Sequence, residues 1–159
     1  MIQKIKPFLW FDKEAEDAAK FYCSIFKNST ILDVARYPEG SPAPAGSAMI
    51  VSFELEGLQF IGLNAGPQFK FTEAISFAVT TENQEETDYL WNALTAGGGK
   101  ESDCGWLKDK FGLSWQITPR ALIELLSDQD TKKAARVMAA MMTMQKINIA
   151  ELERAAAQE

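Results

Sequence analysis

The chain has 159 residues, 47% hydrophobic and 24% charged, which is long enough for one globular domain with a buried core. Its net charge of -6 argues against a nucleic-acid-binding role, because phosphate contacts require a field of lysines and arginines. Histidine is absent, which excludes Ser-His-Asp and Cys-His catalysis and every metal site that uses imidazole.

The two cysteines form neither a disulfide framework nor a zinc-ligand spacing, which is typical of a reduced compartment. No apolar run approaches the roughly 20 residues of a membrane span. The first residues have a short, charge-interrupted apolar stretch, unlike a signal peptide. We therefore expect a cytoplasmic protein that associates with no membrane and no nucleic acid.

The first half of the chain is predicted to form a strand, a helix and three further strands. Asp12 is positioned to cap the helix, and small or apolar residues recur behind it at helical spacing. Glu56-Gly57 is predicted to form a hairpin turn between the last two strands. The predicted strands span residues 5–12, 31–37, 48–56 and 58–63.

The same element order begins again in the second half. Asn83, with Glu86 three residues later, predicts the start of a helix that ends at the glycines of residues 97–99. Strands are predicted at residues 75–81, 100–104, 106–110 and 113–118. Three helical segments follow in residues 120–159, the second of them rich in methionine. We expect this extension to pack on the preceding domain or on a second subunit.

Three segments carry a family resemblance: KPFLWFDKEAEDAAKFYCSIF, CGWLKDKFGLSWQITP, and the tail from AARVM onward. They resemble PhnB-like proteins of the vicinal oxygen chelate (glyoxalase/bleomycin-resistance/dioxygenase) superfamily, also labelled demethylubiquinone methyltransferase-like. The resemblance implies an α+β fold with two βαβββ modules, about residues 1–66 and 74–119. These modules would form one domain over 1–119, with a curled, barrel-like mixed sheet around a cavity, in a homodimer.

Metal-dependent members of the superfamily would place their ligands at Pro7, Ser76 and Gln116, with a further ligand near Asn64. None of these four is a histidine or a carboxylate, and neutral oxygens do not offset the dehydration of a divalent ion. We therefore expect no bound metal and no cofactor. The methyltransferase label is not supported by any strand–Gly-x-Gly–helix arrangement for S-adenosylmethionine.

The register implied by the resemblance predicts which side chains line the cavity. Phe8, Trp10, Leu113, Trp115 and Ile117 would point the other way, toward the covering helices. The cavity-facing set would be Pro7, Leu9, Phe11, Asn64, Ser76, Ala78, Thr80, Ser114, Gln116 and Thr118.

Such a cavity predicts metal-independent binding of a small, largely apolar molecule, oriented by a few hydroxyls and an amide. One alternative is a metal-independent isomerase, lyase or transferase that acts on a small carbonyl- or quinone-like substrate. Gln116 would then polarise an oxygen, and Ser76 or Thr118 would relay a proton. Another alternative is a vestigial pocket in a protein that works through protein contacts. Residues alone do not identify the ligand or any catalytic group.

Overall fold

A computed structural model describes residues 2–158 of the chain. It divides into two compact units, Met1–Phe71 and Thr72–Glu159. Each unit holds one strand–helix–three-strand module, so the predicted repetition of the βαβββ order is confirmed. The helical extension belongs to the second unit. Assembly of the two modules into one domain and a homodimer stays a prediction.

The first unit contains β1 (Phe8–Phe11), α1 (Ala15–Ile25), β2 (Thr30–Arg36), β3 (Ala48–Leu55) and β4 (Leu58–Asn64). Its strands form one four-stranded sheet in the order β1-β4-β3-β2. β1 runs parallel to β4, whereas the other neighbours are antiparallel. The sheet is therefore mixed, as the module prediction requires.

One face of the first sheet is covered by α1. The helix buries Ala15, Ala18, Ala19, Tyr22 and Ile25, which recur at the spacing of a single helical face. The Tyr22 ring lies 6.2 Å from that of Phe53 on β3, which in turn stacks on Phe60 of β4 at 5.4 Å. Small alanines bring the helix backbone close to the sheet, and the stacked rings fill the rest of this core.

The second unit begins with β5 (Ser76–Thr81), α2 (Gln84–Thr95), β6 (Lys100–Glu101), β7 (Trp106–Lys108) and β8 (Ser114–Pro119). These strands form a separate four-stranded sheet in the order β5-β8-β7-β6. β5 is parallel to β8, and the other pairs are antiparallel. The two described sheets do not close into a barrel through strand pairing.

The start of α2 follows the sequence prediction. The Asn83 side chain accepts a hydrogen bond of 2.9 Å from the backbone N–H of Glu86. The Glu86 carboxylate accepts one of 2.7 Å from the N–H of Glu82, so two free N–H groups at this end are satisfied.

The extension folds into α3 (Arg120–Leu126), α4 (Thr131–Met141) and α5 (Ile149–Ala157), which confirms its helical prediction. Arg136 on α4 donates to the carbonyls of Ala155 and Ala156, at the negative end of α5. The three helices share a small core of their own, formed by Leu122, Val137, Met144, Ile147 and Leu152.

The extension is attached to the second module by backbone hydrogen bonds. The N–H groups of Cys104 and Gly105 donate to Met144 and Gln145, both at 2.8 Å. Gly105 has a φ of +82°, and a side-chain carbon there would lie 2.9 Å from the Ile117 carbonyl oxygen. Glycine is therefore required at this attachment point. None of the helices within residues 2–158 combines the length and the hydrophobicity needed to cross a bilayer.

Candidate functional site

The two faces of the second sheet are distinguished by a contact between β5 and α2. The hydroxyl groups of Thr81 and Thr87 share a hydrogen bond of 2.6 Å, and both residues are fully buried. Alternate residues of a strand point to the same side, so Val79 faces α2 together with Thr81. Its neighbours in the register, including Trp115 and Ile117 of β8, share that side.

The opposite face of this sheet, here called the open face, carries polar side chains from β5 and β8. That the residues of these two strands face a ligand cavity stays a prediction. Within this face, the Gln116 amide nitrogen donates to the Ser76 hydroxyl at 2.9 Å. The sequence-predicted residues that lie on the open face are Ser76, Ala78, Thr80, Ser114, Gln116 and Thr118.

β7 adds two residues to the open face that sequence reasoning missed. Trp106 is paired directly opposite Gln116, and Lys108 is paired opposite Ser114. Residues directly opposite in an antiparallel pair lie on the same face, so these four side chains are neighbours. The signal was present in the sequence as the alternation of Trp106 and Lys108, but assignment required the strand register.

An ion pair lies at the edge of this face. Lys108 Nζ approaches Glu73 Oε1 at 2.6 Å. This hydrogen bond from Lys108 holds the pKa of the Glu73 carboxyl below its usual range. The carboxylate therefore stays ionised at neutral pH and offsets the charge of the lysine.

The orientation predicted for β1 is wrong. Leu9 and Phe11 are buried, at 6% and 4% exposure, whereas Phe8 is 55% exposed. A side-chain carbon on Gly62, the register partner of Leu9, would lie 3.1 Å from Ala15 Cβ and 3.5 Å from Phe11 Cε2. Leu9 and Phe11 therefore face α1, and not an open cavity.

The error has a physical reason. Phe8 and Trp10 are as hydrophobic as Leu9 and Phe11, so alternation along β1 does not distinguish its two faces. Trp10 is accommodated on the other face, where its indole N–H donates to the Gly66 carbonyl at 2.9 Å. Pro7 precedes the strand, and its carbonyl accepts from the N–H of Ile61 at 3.0 Å.

Asn64 also has a different position from the predicted one. Its side-chain oxygen accepts from the N–H of Ala15 at 2.9 Å, and its amide nitrogen donates to the Ala48 carbonyl at 3.1 Å. It therefore satisfies the first N–H of α1 from a neighbouring strand. Asp12 was expected to cap this helix, but the N-cap residue is Glu14, which makes no side-chain cap hydrogen bond.

Comparison with known proteins decides the family. A family model described as 3-demethylubiquinone-9 3-methyltransferase matches residues 3–118. The solved structure of a PhnB protein from Bacillus cereus is 36% identical and has a TM-score of 0.68, covering 74% of this chain and 99% of that one. The chain belongs to this PhnB-like family. The sequence-based assignment and the α+β fold class are confirmed.

Two more distant solved structures share the fold. A protein from Pseudomonas aeruginosa is 19% identical, with a TM-score of 0.62 and coverage of 74% of this chain and 98% of that one. The fosfomycin resistance protein FosX from Listeria monocytogenes is 15% identical, with a TM-score of 0.51 and coverage of 75% and 94%. At these identities the likeness concerns the fold alone. Among curated proteins, none matches significantly.

The metal-ligand positions implied by the sequence resemblance raise the question of a metal, and the side chains present do not fit one. Asn64 is already engaged by the helix and β3, and Gln116 and Ser76 bond to each other. Within residues 2–158, no group of three or more histidine, cysteine, aspartate or glutamate side chains is close enough to hold an ion. The donor set of this PhnB-like chain is therefore unsuited to a divalent cation.

Proposed function

We propose that the chain binds a small, largely apolar molecule on the open face of the second sheet, without a metal. The observation that carries this proposal is the Gln116–Ser76 pair, whose members are held at 2.9 Å. This bond uses one amide hydrogen of Gln116 and one acceptor position of Ser76. The Gln116 carbonyl oxygen and the Ser76 O–H remain as an acceptor and a donor for a ligand.

The surroundings of Gln116 favour an apolar ligand body. Trp106 lies opposite Gln116 on β7, and Ala78 lies beside it on β5. Small-molecule sites usually combine a few polar groups, which fix the orientation of the ligand, with apolar surface, which provides affinity. The Gln116–Ser76 pair beside the Trp106 indole and the Ala78 methyl group has this composition. The half-buried state of Ser76 and Gln116 keeps both within reach of a ligand.

Binding accounts for these residues better than catalysis does. Ser76 and Gln116 are neutral, and the hydrogen bond between them supplies no general base. The name of the matching family model refers to a methyltransferase, and the name of the Listeria monocytogenes structure refers to fosfomycin resistance. Neither name identifies an acid or base among the side chains of this chain. A metal-independent enzyme would need an acid or base of suitable pKa, which these two side chains do not provide.

A thermal-shift screen of small neutral metabolites with the full chain tests the proposal. A ligand present at about 100 times its Kd stabilises the folded state by about 2.7 kcal/mol, which raises the Tm by roughly 5–10 °C at this chain length. Gln116→Ala is expected to remove most of that rise. Gln145→Ala is the matched control, because Gln145 uses only its backbone carbonyl in the attachment to Gly105. A full shift retained by Gln116→Ala would contradict the proposal.

A further inference from the structure

A cavity of about 190 Å³ opens in the second unit, beside the proposed binding face. Sites for drug-sized ligands usually measure about 300–1,000 Å³, so this volume suits only a small molecule or one end of a larger one. Its walls are formed by two lysines, two glutamates and four other residues: Lys100, Lys108, Glu73, Glu101, Ser102, Trp106, Leu107 and Ser114. The lining is therefore rich in groups that can donate hydrogen bonds.

Ser114 gives the first indication of a ligand. Its side chain is 1% exposed, and its hydroxyl oxygen is buried without a hydrogen-bond partner. It is the one side-chain polar atom within residues 2–158 that is in this state. A buried hydroxyl without a partner costs free energy, so such a group is expected to meet a ligand or an ordered water in solution.

The lysines give a second, independent indication. Lys100 and Lys108 are directly opposite each other in the β6–β7 pair, which is an unfavourable arrangement for like charges. Glu73 neutralises only Lys108, at 2.6 Å. Lys100 has no carboxylate within ion-pair distance among residues 2–158. Glu101, the other acid of the lining, accepts a hydrogen bond from the indole N–H of Trp91 at 2.8 Å. The two lysines and two glutamates of the lining balance in charge, but Lys100 is left without an ion-pair partner among the described residues.

We propose that this cavity is an anion subsite that anchors the carboxylate of a small organic acid between Lys100, Lys108 and Ser114. The inference rests on the proposed function and names the ligand class for the same face. A monocarboxylate gives Lys100 the partner that Glu73 gives Lys108, and the Ser114 hydroxyl donates to it. The indole of Trp106 lines the same cavity and contacts the apolar body of the acid.

Calorimetric titration of the full chain with benzoate tests this assignment. Benzamide is the neutral probe of the same shape, and inorganic phosphate is an anion without an apolar body. Benzoate is expected to bind about tenfold more tightly than benzamide, because its hydrogen bonds are charge-assisted. Benzoate is likewise expected to bind more tightly than phosphate. Equal affinity for benzoate and benzamide, or no detectable benzoate binding, would overturn the subsite. Phosphate binding as tight as that of benzoate would overturn the carboxylate assignment.

Two variants and a control locate the binding. Lys100→Gln is expected to abolish the preference for benzoate, and this exposed position tolerates the change. Ser114→Ala is expected to weaken benzoate about fivefold or more without destabilising the fold, since the hydroxyl has no partner to lose. Lys132→Gln, on α4, removes the same charge from the chain but not from the cavity. An equal effect of Lys132→Gln and Lys100→Gln would contradict a local site.

Failure of the subsite is distinguishable from failure of the proposed function. If neutral ligands bind in a Gln116-dependent way and benzoate gains nothing over benzamide, the binding face stands and the anion subsite is wrong. If no ligand depends on Gln116 while benzoate depends on Lys100, the cavity stands and the proposed face is wrong.

Discussion

The two modules share one element order but begin their helices in different ways. In the first module the backbone of α1 is satisfied from a distance, by the buried side chain of Asn64 on β4. In the second module α2 is capped by its immediate neighbour Asn83, at the surface. The two modules therefore share their order of strands and helix, but different side chains satisfy the backbone N–H groups at the start of each helix.

The connections that lead into the last strand of each module, β4 and β8, also depend on different interactions. The first joins β3 to β4 through Glu56-Gly57, both with positive φ, a two-residue turn that depends on backbone conformation. The second leads into β8 through a loop in which the Asp109 carboxylate accepts from Phe111 and Leu113 N–H groups and from the indole of Trp115. The buried side chain of Asp109 thus organises the second hairpin, whereas the turn of the first depends on backbone conformation.

The sheet faces that point away from α1 and α2 also differ between the two modules. On the first sheet, the side away from α1 carries Phe8, Trp10, Ile50, Ile61 and Leu63. On the second sheet, the corresponding side carries serines, threonines and Gln116, together with Ala78, Trp106 and Lys108. Equivalent backbone positions in the two modules thus have different chemistry, so a residue role cannot be transferred from one module to the other by register alone.

The largest expected effect comes from the second hairpin. Asp109→Ala removes acceptors from two backbone N–H groups and one indole, at a position only 2% exposed. We expect a loss of about 3 kcal/mol of unfolding free energy, measured by urea denaturation with Trp fluorescence. Asp103→Ala, at an exposed site in the preceding turn, serves as the control. Similar losses for both variants would contradict the structural role of the Asp109 carboxylate.

Asn64→Ala is expected to cost about 2 kcal/mol. The substitution leaves the Ala15 N–H and the Ala48 carbonyl without their buried partners. Urea unfolding measures this loss, and the exposed Asn92→Ala is the control, with a change within about 0.5 kcal/mol. The same variant separates structure from binding, because a correctly folded Asn64→Ala protein should retain ligand affinity. Lost affinity with unchanged stability would restore Asn64 as a ligand-contacting residue.

Asn83→Ala should cost less, about 1 kcal/mol, which is the usual value for an exposed N-cap. Water replaces the missing side-chain acceptor at the surface, whereas it does not reach the end of α1. Thermal unfolding of the Asn64 and Asn83 variants side by side measures the difference directly. If Asn83→Ala proved the more damaging of the two, the distinction between remote and local capping would be wrong.

Residue patterns were sufficient for the element order and the α2 cap. In β8, bulky Trp115 and Ile117 alternate with Ser114 and Gln116, so the sequence distinguishes an apolar face from a polar one. β1 lacks this contrast, because Phe8 is as apolar as Leu9 and either face satisfies the pattern.

The position of Asn64 was also beyond prediction from sequence. Its partner Ala15 is 49 residues away along the chain, and no local spacing indicates a cap supplied from another strand. The proximity of Lys100 and Lys108 follows only from the β6–β7 register, which the sequence does not give. Long-range pairing is therefore the information that residue patterns lacked at the candidate site.

The smallest expected effect comes from a surface ion pair, one of which is present in each module. Asp88 on α2 pairs with Lys146 at 2.7 Å, and Glu16 on α1 pairs with Arg36 at 3.2 Å. Hydrogen bonds from Lys146 and then Gln84 lower the pKa of Asp88, and the hydrogen bond from Arg36 lowers that of Glu16.

Because both acids have a lower pKa when folded, their contribution is complete above the unfolded pKa of about 4 and disappears as the pH falls through the folded values. The side chains of both pairs are partly exposed to water, so each pair contributes only about 0.5 kcal/mol. Asp88→Asn and Glu16→Gln should each show this loss at pH 7 in urea unfolding, and no loss near pH 2, where the wild-type carboxyls are also protonated. A loss for Asp88→Asn that persists at acid pH would instead assign its role to hydrogen bonding with Gln84, a contact that the first module lacks.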